Sequence, residues 1–90
     1  MLYMVVEHFK DGAAVEVYRR ARDQGRLLPA GLEYVSSWVA LDFGTCYQLM
    51  QTEDAALFSI WTEAWQDLVE FDIIPVRTSA EAAEFIAPQL

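Results

Sequence analysis

Five side chains suited to binding or transforming a small molecule fall within the predicted strands of this sequence. His8 is the only histidine, and a histidine can act as an acid, a base or a metal ligand near neutral pH. Tyr34 and Trp38 supply two rings and Gln48 an amide, a set that could sandwich and orient a flat organic ligand. Asp72 stands between two apolar residues, and an apolar pocket would raise its pKa and make it a base.

Each of these side chains also has a simpler interpretation, which the sequence leaves open. A histidine near a strand end can bond to the backbone or to water, and an acid often lies at a wet edge. The two rings could pack in a dimer interface, where aromatic residues are favoured for their area. The lone His8 and Cys46 would have to recruit carboxylates such as Glu7 to bind a transition metal, and no zinc-ligand spacing is present. We therefore expect no metal and no cofactor.

The elements that position these residues follow the order strand, helix, strand, strand, helix, strand. Runs of β-branched and aromatic residues predict the strands at residues 2–9, 32–41, 45–51 and 69–76. Asp11 and Thr52 are the predicted N-caps of the two helices between them, and Thr78 with Glu81 forms a capping box that opens a short third helix. This order predicts a small α/β sandwich with two helices on one face of the sheet.

The second helix carries an apolar stripe that should face the sheet. Its members recur at helical spacing and are Leu57, Ile60, Trp61, Ala64 and Leu68. Phe58 and Trp65 lie beside this stripe, seven residues apart, and could dock the C-terminal helix or a neighbouring chain.

The alternation of residues along each strand predicts which side chains face the helices. The more apolar set is Tyr3, Val5, Val35, Val39, Tyr47, Leu49, Phe71 and Ile73. The set of the opposite parity would face outward, and it contains all five candidate residues together with Cys46 and Met50. That second set is too apolar for water and too polar for a plain core, which favours an interface or a ligand cavity on the open sheet face. A bulge in any strand would exchange the sets.

Composition excludes several classes of protein. The formal net charge of −8, from 14 acidic and 6 basic residues, disfavours binding to nucleic acid or to anionic membranes. The hydrophobic fraction of 54% excludes a disordered segment. We expect a cytoplasmic protein, because the single cysteine forms no internal disulfide and the N-terminus lacks a secretory leader.

Four of the six cations lie in or just after the first helix, where they could attract an anionic ligand or an acidic partner. They are Arg19, Arg20, Arg22 and Arg26. Glu16 with Arg20, and Arg19 with Asp23, are spaced for ion pairs on a solvated face, which favours compensation of that charge.

Almost the whole chain resembles a family of short uncharacterised bacterial proteins, known only as a domain of unknown function, in the dimeric α/β-barrel superfamily. The resemblance is carried by LYMVVEHF, YRRARDQGRLLPAGLEYVSSWV, CYQLMQTED and WTEAWQDLVEFDIIPVRTSAEAA. It implies a ferredoxin-like βαββαβ protomer with a four-stranded antiparallel sheet, and sheets that pair face to face in a dimer. The wider superfamily includes cofactor-independent monooxygenases, haem-handling enzymes, isomerases and stress-induced proteins. None of their catalytic motifs is present, so the resemblance assigns no residue a role.

These observations favour one domain, residues 1–90, that forms a cytoplasmic homodimer and binds a small organic ligand on the open sheet face. If it is an enzyme, the resemblance implies a cofactor-independent oxygenase or isomerase. The alternative is a non-catalytic interaction module whose sheet face serves only assembly into homo-oligomers.

Overall fold

The computed structural model describes residues 1–90 and contains one antiparallel sheet of four strands. The strands are β1 (Leu2–Phe9), β2 (Glu33–Val39), β3 (Thr45–Gln51) and β4 (Val69–Val76). The helices are α1 (Ala14–Gln24), α2 (Leu57–Glu63) and α3 (Ser79–Ile86), followed by a short 3-10 helix, Ala87–Gln89. The strand order in the sheet is β2-β3-β1-β4. This topology is the ferredoxin-like α+β fold, as the sequence and its resemblance predicted.

The core lies between the sheet and the two helices α1 and α2. Val5 on the central strand β1 faces Ile73 of β4 on one side and Gln48 of β3 on the other, and it is completely buried. Directly opposite residues of paired strands share a face, so this register defines the helix-facing side. The buried cluster consists of Val5, Leu32, Met50, Phe58, Trp61 and Trp65.

The predicted facing of β3 was wrong. Tyr47 was expected to face the helices, but it pairs with Val6 and lies on the opposite side of the sheet. Gln48 and Met50 were expected to face outward, and both are buried under the helices. Both parities of β3 carry apolar residues, so only its register against β1 decides the face. Because the side-chain period of a strand is two, this register exchanges every side chain of β3 between the faces.

An irregularity in β2 changes which of its side chains lie on each face of the sheet, compared with the prediction. The pairing with β3 shifts between Tyr34 and Ser36, as at a β-bulge. Beyond the shift, Ser37 lies opposite Gln48 on the helix-facing side, and Trp38 lies opposite Tyr47 on the other side. We call that other side the open face, and its centre is formed by Met4, Val6, Trp38, Tyr47, Leu49 and Ile74.

The helices depart from the sequence pattern at four places. Ala13, not Asp11, is the N-cap of α1, and Ala56, not Thr52, is the N-cap of α2; no side chain caps either helix. The Thr52 hydroxyl accepts a hydrogen bond from the Asp54 amide, ahead of the helix. In α2, Ile60 of the predicted stripe is 58% exposed, whereas Phe58, predicted to lie beside the stripe, is buried in the core. One helix of seven residues turns only about twice, so its approach angle to the sheet decides which side chains are covered.

The predicted N-cap of α3 is confirmed. The Thr78 hydroxyl accepts a hydrogen bond from the Glu81 amide at 3.1 Å, which satisfies a free N–H group at the start of the helix. The Glu81 carboxylate accepts from the Thr78 hydroxyl at 3.2 Å, not from the Thr78 backbone N–H as in a complete capping box.

The ion pairs of α1 are not the predicted ones. Arg20 reaches across to Asp67 and binds its carboxylate with two bonds of 2.9 and 2.7 Å, which ties α1 to the segment after α2. Arg19 pairs with Glu16 and Arg22 with Asp23. The Arg20–Asp67 pair arises because the two helices lie side by side on the sheet, which a helical-spacing rule does not consider.

Candidate functional site

A cavity of about 220 Å³ lies between the sheet and the helices, on the side of β2. We call it the helix-side cavity. It is lined by Glu7, Phe9, Val17, Tyr18, Ala21, Gly25, Arg26, Ser37, Val39, Cys46, Gln48, Trp61 and Trp65. Strands β1, β2 and β3 form its floor, and α1 with the two tryptophans forms its walls. Polar side chains and aromatic rings line this partly enclosed space together.

The floor of the cavity carries three polar side chains at adjoining positions of the sheet. Ser37 lies directly opposite Gln48 across the β2–β3 pair, and Glu7 lies opposite Cys46 across the β1–β3 pair. Opposite residues have Cβ atoms about 5 Å apart. The serine hydroxyl, the amide and the carboxylate therefore form one polar patch in an otherwise apolar enclosure.

Gln48 has more hydrogen-bonding capacity than the chain uses. The side chain is only 5% exposed, and its one hydrogen bond joins Nε2 to the Met50 sulfur at 3.3 Å. No fully enclosed side-chain nitrogen or oxygen in the protein lacks a partner, so the amide oxygen must reach the space of the cavity. A buried amide can accept at its oxygen and donate twice at its nitrogen. Gln48 is thus available to accept a hydrogen bond from a molecule in the cavity.

Glu7 and Cys46 form the titratable pair of the cavity. Burial raises the pKa of Glu7 above its usual value of 4.5, and a hydrogen bond from the Cys46 thiol together with the charge of Arg26 opposes that rise. Burial, followed by the neighbouring Glu7 charge, raises the pKa of Cys46 to about 12. The thiol therefore stays protonated at neutral pH and acts as a hydrogen-bond donor, not as a nucleophile.

The two indole rings of the walls are held by one backbone carbonyl. Trp61 and Trp65 each donate from Nε1 to the carbonyl oxygen of Arg26 at 3.0 Å. Gly25, at φ +72°, ends α1 and turns the chain so that this carbonyl can meet both rings. The guanidinium of Arg20 lies 5.3 Å from the centre of the Trp65 ring. Because both indole N–H groups are used, the rings offer the cavity their apolar faces.

Arg26 places a cation at the edge of the cavity. Its guanidinium lies 3.7 Å above the Tyr34 ring, and the Tyr34 hydroxyl bonds to the Ser37 hydroxyl at 2.8 Å. Arg26 takes part in none of the ion pairs of the chain. Its charge acts on Glu7 across the cavity, and without an ion pair it could also meet an anionic group of a molecule that enters beside Tyr34.

The other candidate residues lie on the open face. His8 and Asp72 meet there, with Nε2 of the imidazole 2.9 Å from a carboxylate oxygen, and their side chains are 47% and 68% exposed. Trp38 is 55% exposed on the same face. This pair satisfies its own hydrogen-bonding groups in water and has no enclosed space above it.

The structure thus divides the five residues predicted from the sequence into two groups. His8, Trp38 and Asp72 share the open face, whereas Gln48 lines the helix-side cavity and Tyr34 contacts two of its lining residues. The sequence interpretation did not include Glu7, Trp61 or Trp65 in the site. A signal for Glu7 was present, because it continues the alternation of Tyr3 and Val5 and so is a carboxylate on the helix-facing parity.

The arrangement can bind and orient a ring, accept and donate hydrogen bonds, and exchange a proton at Glu7. No three histidine, cysteine or acidic side chains come together in a group that could hold a metal ion. None of the helices has the length and apolar character needed to cross a membrane.

Comparison with known proteins adds one match. No curated protein and no solved structure matches the chain. The model of one protein family matches residues 1–90, which is the full length of the sequence. The match confirms the resemblance to a family of unknown function. The chain therefore belongs to the family described as a domain of unknown function, DUF3303.

Proposed function

We propose that this chain is a cytoplasmic protein that binds one small organic molecule in the helix-side cavity. The observation that carries the proposal is the Gln48 amide, which is nearly buried, lines the cavity and has one end without a partner in the chain. A ligand that donates a hydrogen bond to this oxygen would gain about 0.5–1.5 kcal/mol from it. The sequence placed the ligand on the open face, and the proposal moves it to the other side of the sheet.

The lining favours a particular ligand chemistry. An apolar cavity of about 150 Å³ is enough for benzene, so about 220 Å³ accommodates a single substituted ring. The faces of Trp61 and Trp65 would contact that ring, and Gln48 and Glu7 would accept hydrogen bonds from a hydroxyl or amino substituent. A carboxylate on the opposite side of the ring would meet Arg26. The ligand is therefore a small aromatic or flat cyclic molecule with one hydrogen-bond donor.

Proton transfer is the chemistry that the cavity could add to binding. The raised pKa of Glu7 brings its carboxyl closer to neutral pH, where a general acid or base works best. A ligand whose donor group is weakly acidic would exchange its proton with Glu7 inside the cavity. An isomerase of small cyclic compounds would use the same carboxylate to take a proton from one ring carbon and return it to another.

A titration with 4-hydroxybenzoate, phenol and benzoate tests the binding site by two-dimensional NMR of the three indole N–H groups. We expect 4-hydroxybenzoate to shift the signals of Trp61 and Trp65 and to leave that of Trp38 unchanged. Gln48→Leu should weaken binding about five- to tenfold, because it removes one hydrogen bond. Gln51→Leu is the matched control, since Gln51 is an exposed glutamine at the end of the same strand, and it should bind as the wild type does.

The absence of any shift at Trp61 and Trp65 with all three probes, up to about 10 mM, would contradict the proposal. A fragment of about ten atoms that gains only about 0.3 kcal/mol per atom already has a Kd of about 6 mM. Shifts confined to Trp38 would place the binding site on the open face instead.

Self-association is the second candidate function, and it is supported by the surface that the chain leaves uncovered. Trp38, Tyr47 and Ile74 are each about half exposed at the centre of the open face. The accessible surface of 6040 Å² exceeds the roughly 5,350 Å² expected for a compact chain of 10.3 kDa by roughly 700 Å². Each partner of a standard protein interface buries about 800 Å². The exposed residues 77–90 contribute to this excess, and pairing of two copies through their open faces would cover the part that lies on the sheet.

Sedimentation velocity over a range of protein concentrations tests this second candidate. We expect a concentration-dependent dimer that Trp38→Asp abolishes, whereas Ile60→Asp, at an equally exposed residue of α2, leaves it intact. A wild-type protein that remains monomeric throughout would contradict it.

A further inference from the structure

The mouth of the helix-side cavity is shaped by the irregularity in β2. Tyr34 lies opposite Met50, and Ser37 lies opposite Gln48. Both therefore face the helices, although side chains three residues apart in an uninterrupted strand point to opposite faces. A β-bulge re-aims side chains in this way, and bulges are frequent beside binding sites. Here the bulge brings the Tyr34 hydroxyl to 2.8 Å from the Ser37 hydroxyl, next to Arg26.

This mouth carries hydrogen-bond donors that the chain does not use. The Arg26 guanidinium lies 3.7 Å from the centre of the Tyr34 ring and takes part in no ion pair. Contact with a ring face leaves the N–H groups of a guanidinium available, and these groups match the two oxygens of a carboxylate. The Tyr34 and Ser37 hydroxyls share one hydrogen bond, so one of their two protons is also free to be donated. The mouth therefore favours a carboxylate over a neutral group.

Arg26 and Glu7 are the two charged side chains that line the cavity. Tyr18 of α1 and Cys46 of β3 also line it and can titrate, but both are neutral near pH 7, because burial raises the pKa of each, that of Cys46 to about 12. The lining residues of β2, the two indole rings, and Phe71, which lies opposite Glu7 on β4, bring no charge. The cavity therefore holds one positive and one negative side chain and is neutral as a whole.

A carboxylate ligand would leave this cavity with an excess negative charge. It would pair with Arg26, so that the guanidinium would no longer offset the charge of Glu7, and it would displace water from the enclosure. Both changes disfavour an ionised Glu7, because a carboxylate that loses its hydration and meets a second negative charge binds a proton more tightly. The pKa of Glu7, which burial raises and the Arg26 charge lowers, would therefore rise further on binding.

We infer that the helix-side cavity takes up a ligand carboxylate together with one proton. The carboxylate meets Arg26 and the free hydroxyl at the mouth, and the proton passes from the solvent to the Glu7 carboxylate. No bond of the ligand forms or breaks in this step, and the charge of the cavity with its ligand stays at zero. The inference rests on the proposed binding of a small organic molecule, and it names the class of that ligand: a carboxylic acid on a small ring.

Proton uptake has two consequences for the cavity. Because the complex holds one proton more than the free protein, the affinity for a carboxylate ligand falls as the pH rises, by at most about tenfold per pH unit. It also sets the order of any proton transfer. A neutral ligand leaves Glu7 as the base that takes the first proton, whereas a carboxylate ligand makes Glu7 the acid that gives it.

Titrations with benzoate and with phenol test the proton uptake, with the indole N–H signals of Trp61 and Trp65 as the measure of binding. Between about pH 5.5 and pH 8, benzoate is an anion and phenol is neutral, and the two are similar in size. We expect the affinity for benzoate to fall about five- to tenfold across this range and that for phenol not to fall. In the ¹³C spectrum, the carboxyl signal of Glu7 should titrate at a higher pH with benzoate bound than with phenol bound.

Two neighbouring residues of β1 provide the matched control. Glu7→Gln should abolish the pH dependence of benzoate binding, whereas His8→Gln, on the open face, should leave it intact. Arg26→Gln should weaken the binding of benzoate about fivefold and that of phenol less than twofold, since Arg26 is exposed and solvent limits the strength of the pair. This variant keeps the backbone carbonyl that holds both indole rings.

The outcomes separate this inference from the proposed function. If benzoate shifts the signals of Trp61 and Trp65 with the same affinity at every pH, or if Glu7→Gln keeps the pH dependence, proton uptake at Glu7 is wrong and ligand binding stands. If Arg26→Gln weakens benzoate and phenol equally, the carboxylate does not lie at Arg26. If neither probe shifts either signal at any pH, the inference and the binding site are both wrong.

Discussion

Two neighbouring residues of β1 show how the surroundings of a titratable side chain differ between the two faces of this sheet. Glu7 faces the helices, lines the cavity beside the Cys46 thiol and has a pKa raised by burial. His8, the next residue, faces the other way and pairs with Asp72 in the solvent. The residue types would have favoured the histidine as the functional group. Enclosure reverses this preference, because burial withdraws the Glu7 carboxylate from water and raises its pKa.

The tryptophans also differ in burial between the two faces, and substitution by alanine tests this difference. Trp61→Ala, which empties a site that is only 2% exposed, should lower the free energy of unfolding by about 3–5 kcal/mol. Trp38→Ala on the open face should lower it by about 1 kcal/mol or less at low protein concentration. Urea denaturation measures both. Equal losses would mean that the open face is covered in solution by something other than water.

The reactivity of the Cys46 thiol tests how well the helix-facing side of the sheet is shielded from solvent. Since its pKa is raised from 9.0 to about 12, the thiolate fraction at pH 8 should fall by about two to three orders of magnitude relative to an ordinary thiol. We expect the rate of reaction with a disulfide reagent at pH 8 to rise by that factor when the chain is unfolded in urea. Fast reaction of the folded protein would show that the cavity is open to solvent at Cys46.

Glu7→Gln tests whether burial of the Glu7 carboxylate lowers the stability of the folded protein. A raised pKa in the folded state means that the protonated form is favoured by folding, so this contribution to stability is complete below pH 4.5 and is lost as the pH rises through the folded pKa. Glu7→Gln should therefore raise the Tm by a few degrees at pH 7 and have almost no effect at pH 4. A variant that is destabilised at pH 7 would indicate that the carboxylate is fully compensated by Cys46 and Arg26.

The smallest effect is expected at the exposed pair. Asp72→Asn should change the free energy of unfolding by about 1 kcal/mol or less, because exposed ion pairs contribute little and are screened by salt. Chemical denaturation at low and high salt checks this. A larger loss that grows with protein concentration would instead place His8 and Asp72 inside an assembly interface.

Much of the fold could be predicted from local patterns, but the candidate site could be predicted only in part. The strands at residues 2–9, 45–51 and 69–76 were predicted with the bounds that the structure has, since runs of β-branched and aromatic residues ended at clear turns. The side chains were assigned to the wrong faces of the sheet because β3 is apolar on both parities and β2 shifts register at Tyr34. Gln48 was recognised as a candidate but placed on the wrong side of the sheet.

The sequence by itself determined the order of the elements and the Thr78 N-cap of α3, because each depends on residues within a few positions of one another. The ferredoxin-like class came from the resemblance to a known family. Only the tertiary structure decided which face of β3 meets the helices, that Trp61 and Trp65 share the Arg26 carbonyl, and that every residue of α3 is exposed. These features depend on strand register and on the approach of distant segments. Side chains far apart in sequence become a site only when packing encloses them together.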